Sequence, residues 1–183
     1  MNSQKARELL AGADLLVATA ECSAATARVA ANVSAAMSET GPLVLAVMGG
    51  ATVFAGQLLP LLSFPLEFDY IHVSRYGDRT SGGKLTWKVE PSVKVEGRHV
   101  LVVDDILDEG ETMAEIRRRV LALGAASFRC AVFCEKIIAK SKPIKADFVG
   151  ITVPDRYVFG YGMDVSGLWR NLPAVYALKA GQT

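Results

Sequence analysis

The 183-residue chain reads as an α/β domain built on a mostly parallel central sheet flanked by helices. Three observations predict it. Apolar, β-branched runs alternate with stretches of helical periodicity. The runs Leu43 to Val47, His99 to Val103 and Phe128 to Cys134 are nearly continuous in apolar residues, as strands buried on both faces are. The first two are each followed by a glycine-containing turn and then a helical pattern.

Composition agrees. A hydrophobic fraction of 51% with 21% charged residues suits a compact globular protein, and the length suits a single domain spanning residues 1–183. The net charge of +1, with no long basic run, argues against a broad nucleic-acid-binding face; only the cluster from Lys136 to Lys145 is locally basic. Three cysteines form no CxxC pair and read as buried, reduced thiols. No signal peptide and no membrane span are expected, and a reducing cytoplasm fits the cysteines.

Residues 3 to 38 are rich in alanine, with apolar residues at helical spacing. Two helices are expected, Ser3 to Leu10 and Ser23 to Ser38, the second N-capped by Ser23 and the two joined by a segment containing Asp14 to Ala20. Residues 1–40 thus form an N-terminal helical segment suited to close helix packing or a subunit contact. Gly41-Pro42 breaks the pattern before the Leu43 strand. Met48-Gly49-Gly50-Ala51 then turns into a helix from Thr52 to Leu62.

A strand at Phe68 to Val73 ends in Ser74-Arg75-Tyr76 and meets the polar, glycine-rich Gly77 to Gly83. That stretch reads either as a plain hairpin connection or as a lid, with Leu85 to Val89 returning. A helix from Met113 to Leu123 stops at Gly124. The Phe128 strand carries Glu135-Lys136 at its C-terminal end, and Phe148 to Val153 and Val175 to Leu178 are further strands.

The chain is organised around His99 to Met113, HVLVVDDILDEGETM. Open α/β sheets place ligands at the C-terminal ends of their strands. There Asp104 and Asp105 follow the apolar run, and Asp108-Glu109-Gly110-Glu111-Thr112 leads into a helix. A helix N-terminus offers unpaired N–H groups to an anion, and Gly110 lets backbone approach it. Thr112 can donate its hydroxyl to a phosphate oxygen. Carboxylates alone would repel a phosphate. A sugar phosphate reconciles the two, with the acids on ribose hydroxyls or on Mg²⁺. The competing reading is an acidic loop capping a helix with Asp108 as N-cap.

The full string resembles the phosphoribosyl pyrophosphate (PRPP) signature of the type I phosphoribosyltransferase family. The further segments VMGG, SRY, EK, ADFVG, VPDRYVFGYGMD and WRN resemble its purine-salvage branch, the hypoxanthine-guanine enzymes, from about Leu43 to Leu178. The resemblance implies a small hood formed by terminal segments, with residues 154–183 contributing to a purine-binding site.

It also implies roles. Asp104 and Asp105 hold the ribose hydroxyls, directly or through Mg²⁺. Asp108, Glu109, Gly110, Glu111 and Thr112 cradle the 5′-phosphate, and Asp108 is the general base. Met48 and Gly49, often joined in the family by a non-proline cis peptide, bind pyrophosphate together with Arg170. Lys136 meets the purine 6-oxo group, Tyr157 stacks on the base, and the Val158 backbone reads its edge. Asp164 lies near a second Mg²⁺. Ser74, Arg75 and Tyr76 begin a lid. The activity implied is transfer of phosphoribose from PRPP to N9 of hypoxanthine or guanine by a homodimer or homotetramer. Alternatives are a xanthine-preferring enzyme and a nucleic-acid-binding regulator on the same fold.

Four positions depart from the family pattern. Met48 stands where many relatives carry lysine, Arg75 replaces a common serine, and Glu109 with Glu111 makes the phosphate turn more acidic.

Overall fold

The structure, a computed structural model, describes residues 1–76, 84–179 and 181. In chain order the elements are α1 (Ser3–Gly12), β1 (Asp14–Val17), α2 (Thr19–Met37), β2 (Leu43–Met48), α3 (Thr52–Leu58), β3 (Glu67–Tyr76), β4 (Lys84–Val89), β5 (His99–Leu107), α4 (Glu111–Ala122), β6 (Ser127–Lys136), β7 (Phe148–Val153), β8 (Val158–Phe159) and β9 (Val175–Ala177). Six strands form the central sheet in the order β4-β3-β2-β5-β6-β7. Every neighbouring pair is parallel except β4, which returns antiparallel to β3. The expected α/β architecture is therefore present.

The apolar runs are buried because both sheet faces are covered. Leu43, Val44, Leu45 and Ala46 of β2 have no exposed surface, nor do Val100 to Val103 of β5. On one face Val44, Leu101 and Phe133 pack with Val29 and Val33 of α2 and Phe54 of α3. On the other, Leu45, Val102 and Val132 pack with Met113, Ile116 and Val120 of α4. That spacing along α4 puts one apolar stripe on the sheet and leaves Arg117 and Arg118 in solvent. Each fully buried aliphatic side chain contributes about 1.5–3 kcal/mol. Gly124, at φ +85°, ends the helix as expected.

A second sheet, β1-β9-β8, joins the two ends of the chain. It is antiparallel, with Leu15 opposite Tyr176 and Val158 opposite Ala177. It forms the small hood beside the strand ends. Arg156 ties it together by donating to Asp14 Oδ2 at 2.6 Å and to Leu178 O at 2.8 Å.

Five local expectations are corrected. Asp14–Val17 is a strand, not a connecting segment; it is four residues long and its pairing partner lies far away in sequence. α2 begins at Thr19, four residues earlier than expected, because the alanine-rich run continues a helix readily. Ser23 is thus inside the helix, not its N-cap, and its hydroxyl donates back to Thr19 O at 3.1 Å. The α-helix after the Gly49-Gly50 turn stops at Leu58 and passes into a 3₁₀ turn at Leu59–Leu61, where Pro60 removes a helical donor. β5 does not end at Val103. It continues through both acids to Leu107, because β6 runs alongside and pairs Asp104 with Val132 and Ile106 with Cys134.

Cys22, Cys130 and Cys134 are buried free thiols. Burial pushes the Cys22 thiol up to about 11 and the Cys130 thiol up to about 12. Among the described residues, no helix is long and apolar enough to cross a membrane.

Candidate active site

The C-terminal ends of β2, β5 and β6 open into one cleft of about 650 Å³. Its walls bring together residues that are far apart in sequence: Met48 and Gly49, the stretch from Asp104 to Gly110, Thr112, Lys136 and Arg170. A smaller pocket of about 210 Å³ adjoins it under the hood, lined by Tyr157, Val158, Met163 and Asp164. Asp105, Ile106, Asp108 and Lys136 line both.

The acids come first. Asp104 Oδ1 accepts from the Asp105 backbone N–H at 2.9 Å. Burial, and then the neighbouring Asp105 carboxylate, hold the Asp104 carboxyl well above the usual carboxylate range. Burial also raises Asp105, opposed by its hydrogen bond with Asp104 and by Arg170. The two carboxyls are therefore crowded and poorly solvated, and a cation between them and a ligand would relieve both conditions.

The glycine pair explains how this crowding is possible. The Met48–Gly49 peptide is cis, as the resemblance leads one to expect. Gly50 carries the backbone directly against Asp105, and a Cβ there would collide with its carboxylate.

The turn expected to cradle an anion follows β5. Gly110, at φ +85°, occupies the N-cap position of α4 and has no side chain with which to cap the helix. Asp108 is therefore not the N-cap. It lies one residue beyond β5, its carboxylate half-exposed. Its Oδ2 accepts from Lys136 Nζ at 2.7 Å. Lys136 is at the last position of β6 and only 12% exposed.

The hood contributes the remaining groups. Tyr157 donates its hydroxyl to Asp164 O at 3.2 Å, which orients the ring. Val158 is buried in β8. Asp164 is engaged through both oxygens, one with Arg170 Nη2 at 2.5 Å and the other with the Gly167 N–H at 2.7 Å. Arg170 also donates to Gly162 O at 2.7 Å and stands 4.0 Å from Asp105. It follows Trp169, a non-glycine residue at φ +70° whose indole N–H is held by Ala6 O of α1 at 2.9 Å. A backbone in this region is uncommon for such a residue and persists where its surroundings hold it.

Ser74, Arg75 and Tyr76 end β3, in register with Thr86, Leu85 and Lys84. The expected lid from Gly77 to Gly83 lies outside the described residues. Glu111 opens α4 and Glu109 lines the cleft. Sequence reasoning missed Gly50, His72 and Lys142. Gly50 sat in a visible glycine pair, whereas no local signal marks His72 or Lys142 as neighbours of the site.

Comparison with known proteins agrees with this geometry. Residues 13–166 match the family described as the phosphoribosyl transferase domain. The hypoxanthine-guanine-xanthine phosphoribosyltransferase of Tritrichomonas foetus is 38% identical over 151 residues, covering 82% of each chain. The hypoxanthine-guanine phosphoribosyltransferase of Bacillus subtilis is 33% identical over 166 residues, covering 90% of this chain and 92% of that one. Among solved structures, a hypoxanthine-guanine-xanthine phosphoribosyltransferase superposes with a TM-score of 0.82 at 33% identity, over 91% of this chain and 96% of the other. A hypoxanthine phosphoribosyltransferase from Staphylococcus aureus superposes with a TM-score of 0.87 at 25% identity, over 98% and 96%. With an acidic strand end, a helix start at a glycine N-cap and a glycine turn converging on one cleft, and with most of its length matched, the chain belongs to the phosphoribosyl transferase domain family.

Proposed function

We propose that the chain transfers the 5-phosphoribosyl group of PRPP to N9 of hypoxanthine or guanine, yielding IMP or GMP and pyrophosphate in purine salvage. The observation that carries this reading is the meeting of two pockets at Asp105, Ile106, Asp108 and Lys136. The larger suits the sugar and its phosphates; the smaller suits a planar base beside Tyr157.

The chemistry can be followed atom by atom. N9 bonds to C1′ as the bond from C1′ to the pyrophosphate oxygen breaks, and the leaving group takes that electron pair. Positive charge develops on the sugar and negative charge on pyrophosphate, where Arg170, Met48 and Gly49 would lie. The 5′-phosphate would rest on the backbone from Asp108 to Thr112. Asp108 would take the proton from N7 as general base. Lys136 would donate to O6 and reject adenine, whose 6-amino group presents donors to an ammonium. The Val158 backbone would read the edge of the base.

Mg²⁺ fits the donor set. It is commonly held by one or two carboxylates with water and substrate phosphates, and Asp104 and Asp105 supply two crowded carboxyls at the cleft floor. Asp164 would serve a second ion. The metal would contribute positive charge to the departing pyrophosphate. Homodimers or homotetramers are the proposed assembly; Phe68 and Tyr70, two apart on β3 and 43% and 44% exposed, offer an apolar face for it. The buried thiols suit a cytoplasmic setting.

Xanthine is a second reading, favoured by the likeness to a relative whose name includes that base. Steady-state assays with PRPP, Mg²⁺ and each of hypoxanthine, guanine, xanthine and adenine test both. Nucleotide and pyrophosphate are expected with the first two bases. Turnover of xanthine above both would move the assignment to that base, and no turnover with any 6-oxopurine would overturn it.

A further inference from the structure

Lys142 lies in the loop between β6 and β7, six residues beyond Lys136, and its side chain is only 11% exposed. Its ammonium donates to Lys136 O at 2.6 Å, to Leu107 O at 3.0 Å and to Glu135 Oε1 at 3.3 Å. An ammonium has three N–H donors, and here each has an acceptor. Two of those acceptors are the terminal carbonyls of β5 and β6. The Leu107 carbonyl belongs to the peptide that leads into Asp108, and the Lys136 carbonyl belongs to Lys136 itself. The same loop also backs the anion cradle: a Cβ at Gly110 would lie 3.4 Å from Lys142, Pro143 and Ile144 atoms.

We infer that Lys142 is a positioning residue that fixes Asp108 relative to Lys136 and so sets discrimination at the purine 6-position. The inference rests on the assignment of Asp108 and Lys136 to the base. Backbone ladders in a parallel sheet end where the strands end, and nothing in the ladder itself holds two strand tips in step beyond that point. Lys142 supplies that tie, with Glu135 balancing its charge. The pair it aligns is the one whose separation must match the distance between N7 and O6 on one edge of the base.

Lys142→Met keeps the apolar stem and removes the donors. The expected result is a rise in KM for hypoxanthine and a fall of about tenfold or more in the preference for hypoxanthine over adenine, each tenfold corresponding to 1.4 kcal/mol. The KM for PRPP should move much less. Lys142→Arg, which keeps donors and charge, should restore discrimination. Lys142→Gln, which retains an amide donor, replaces the Met variant if that one does not fold. A uniform fall in kcat for all bases, with KM and selectivity unchanged, would overturn the inference by showing a purely structural role.

A second readout does not depend on turnover. The Asp108 and Ile137 amide nitrogens share peptide groups with the two clamped carbonyls, so their NMR shifts should change in the variant while those of β2 do not. Unmoved Asp108 and Ile137 signals would overturn the clamp. Wild-type protein inactive on every 6-oxopurine would instead overturn the functional assignment and leave the NMR outcome to judge Lys142.

Discussion

Lys136 Nζ and Asp108 Oδ2 are 2.7 Å apart, joining the C-terminal end of β6 to the first residue beyond β5. The two groups assigned to neighbouring atoms of one base edge are thus already one hydrogen bond apart. Lys136 donates and Asp108 accepts. The base would enter by dividing the pair, taking the ammonium at O6 and the carboxylate at N7.

Asp108→Asn keeps the shape and removes the proton acceptor. General-base catalysis is commonly worth about 10²–10⁴-fold, so kcat should fall within that range while the KM for PRPP changes little. Single-turnover rates at saturating PRPP check this. Unaltered turnover would remove Asp108 from proton transfer.

Lys136→Met tests the other half. A hydrogen bond to a charged group is worth about 1.5–3 kcal/mol, so hypoxanthine should lose roughly ten- to a hundredfold in kcat/KM relative to adenine. Competition between the two bases measures the ratio directly. Retained discrimination would contradict the assignment.

Gly50→Ala places a methyl group against the Asp105 carboxylate. A displacement of that size near reacting groups can cost on the order of a hundredfold, and kcat/KM for PRPP should fall accordingly. Gly56→Ala in α3 is the control, since a Cβ there meets nothing within 4 Å. Replacing a helical glycine by alanine stabilises by up to about 1 kcal/mol, so that variant should melt slightly higher and remain fully active.

The acid pair predicts a pH dependence. Asp104 and Asp105 hold their protons to higher pH in the folded chain than in the unfolded one. Their contribution to stability is therefore fully present below the ordinary aspartate range and is lost as pH rises through the raised folded values. Asp104→Asn removes a buried charge. At pH 7.5 without Mg²⁺ or PRPP its thermal midpoint should exceed that of the wild type by a few degrees, where 1 kcal/mol corresponds to about 2–4 °C. The gap should close towards pH 4. Calorimetry across that range checks it, and a gap that widens on acidification would reverse the sign.

The residues of the cleft were legible from local pattern where chemistry and secondary structure coincide in one stretch. The apolar run, paired acids and Gly110 of β5 and α4 are contiguous, so periodicity and turn chemistry pointed to the same ligand. Boundaries were less legible. β5 runs four residues past Val103 because β6 pairs with it, and β1 exists because β9 lies opposite. Neither partner can be read from the strand itself.

By itself, the amino-acid order determined the buried parallel strands, the anion-compatible helix start and the kind of ligand those features accept. Burial pattern, turn residues and the placement of acids are local quantities. Tertiary structure alone decided the contact of Gly50 with Asp105, the pairing of Lys136 with Asp108 and the clamp made by Lys142. Each of these joins segments separated by a whole strand, helix or loop. Their distances depend on how the elements pack, which no stretch of sequence encodes alone.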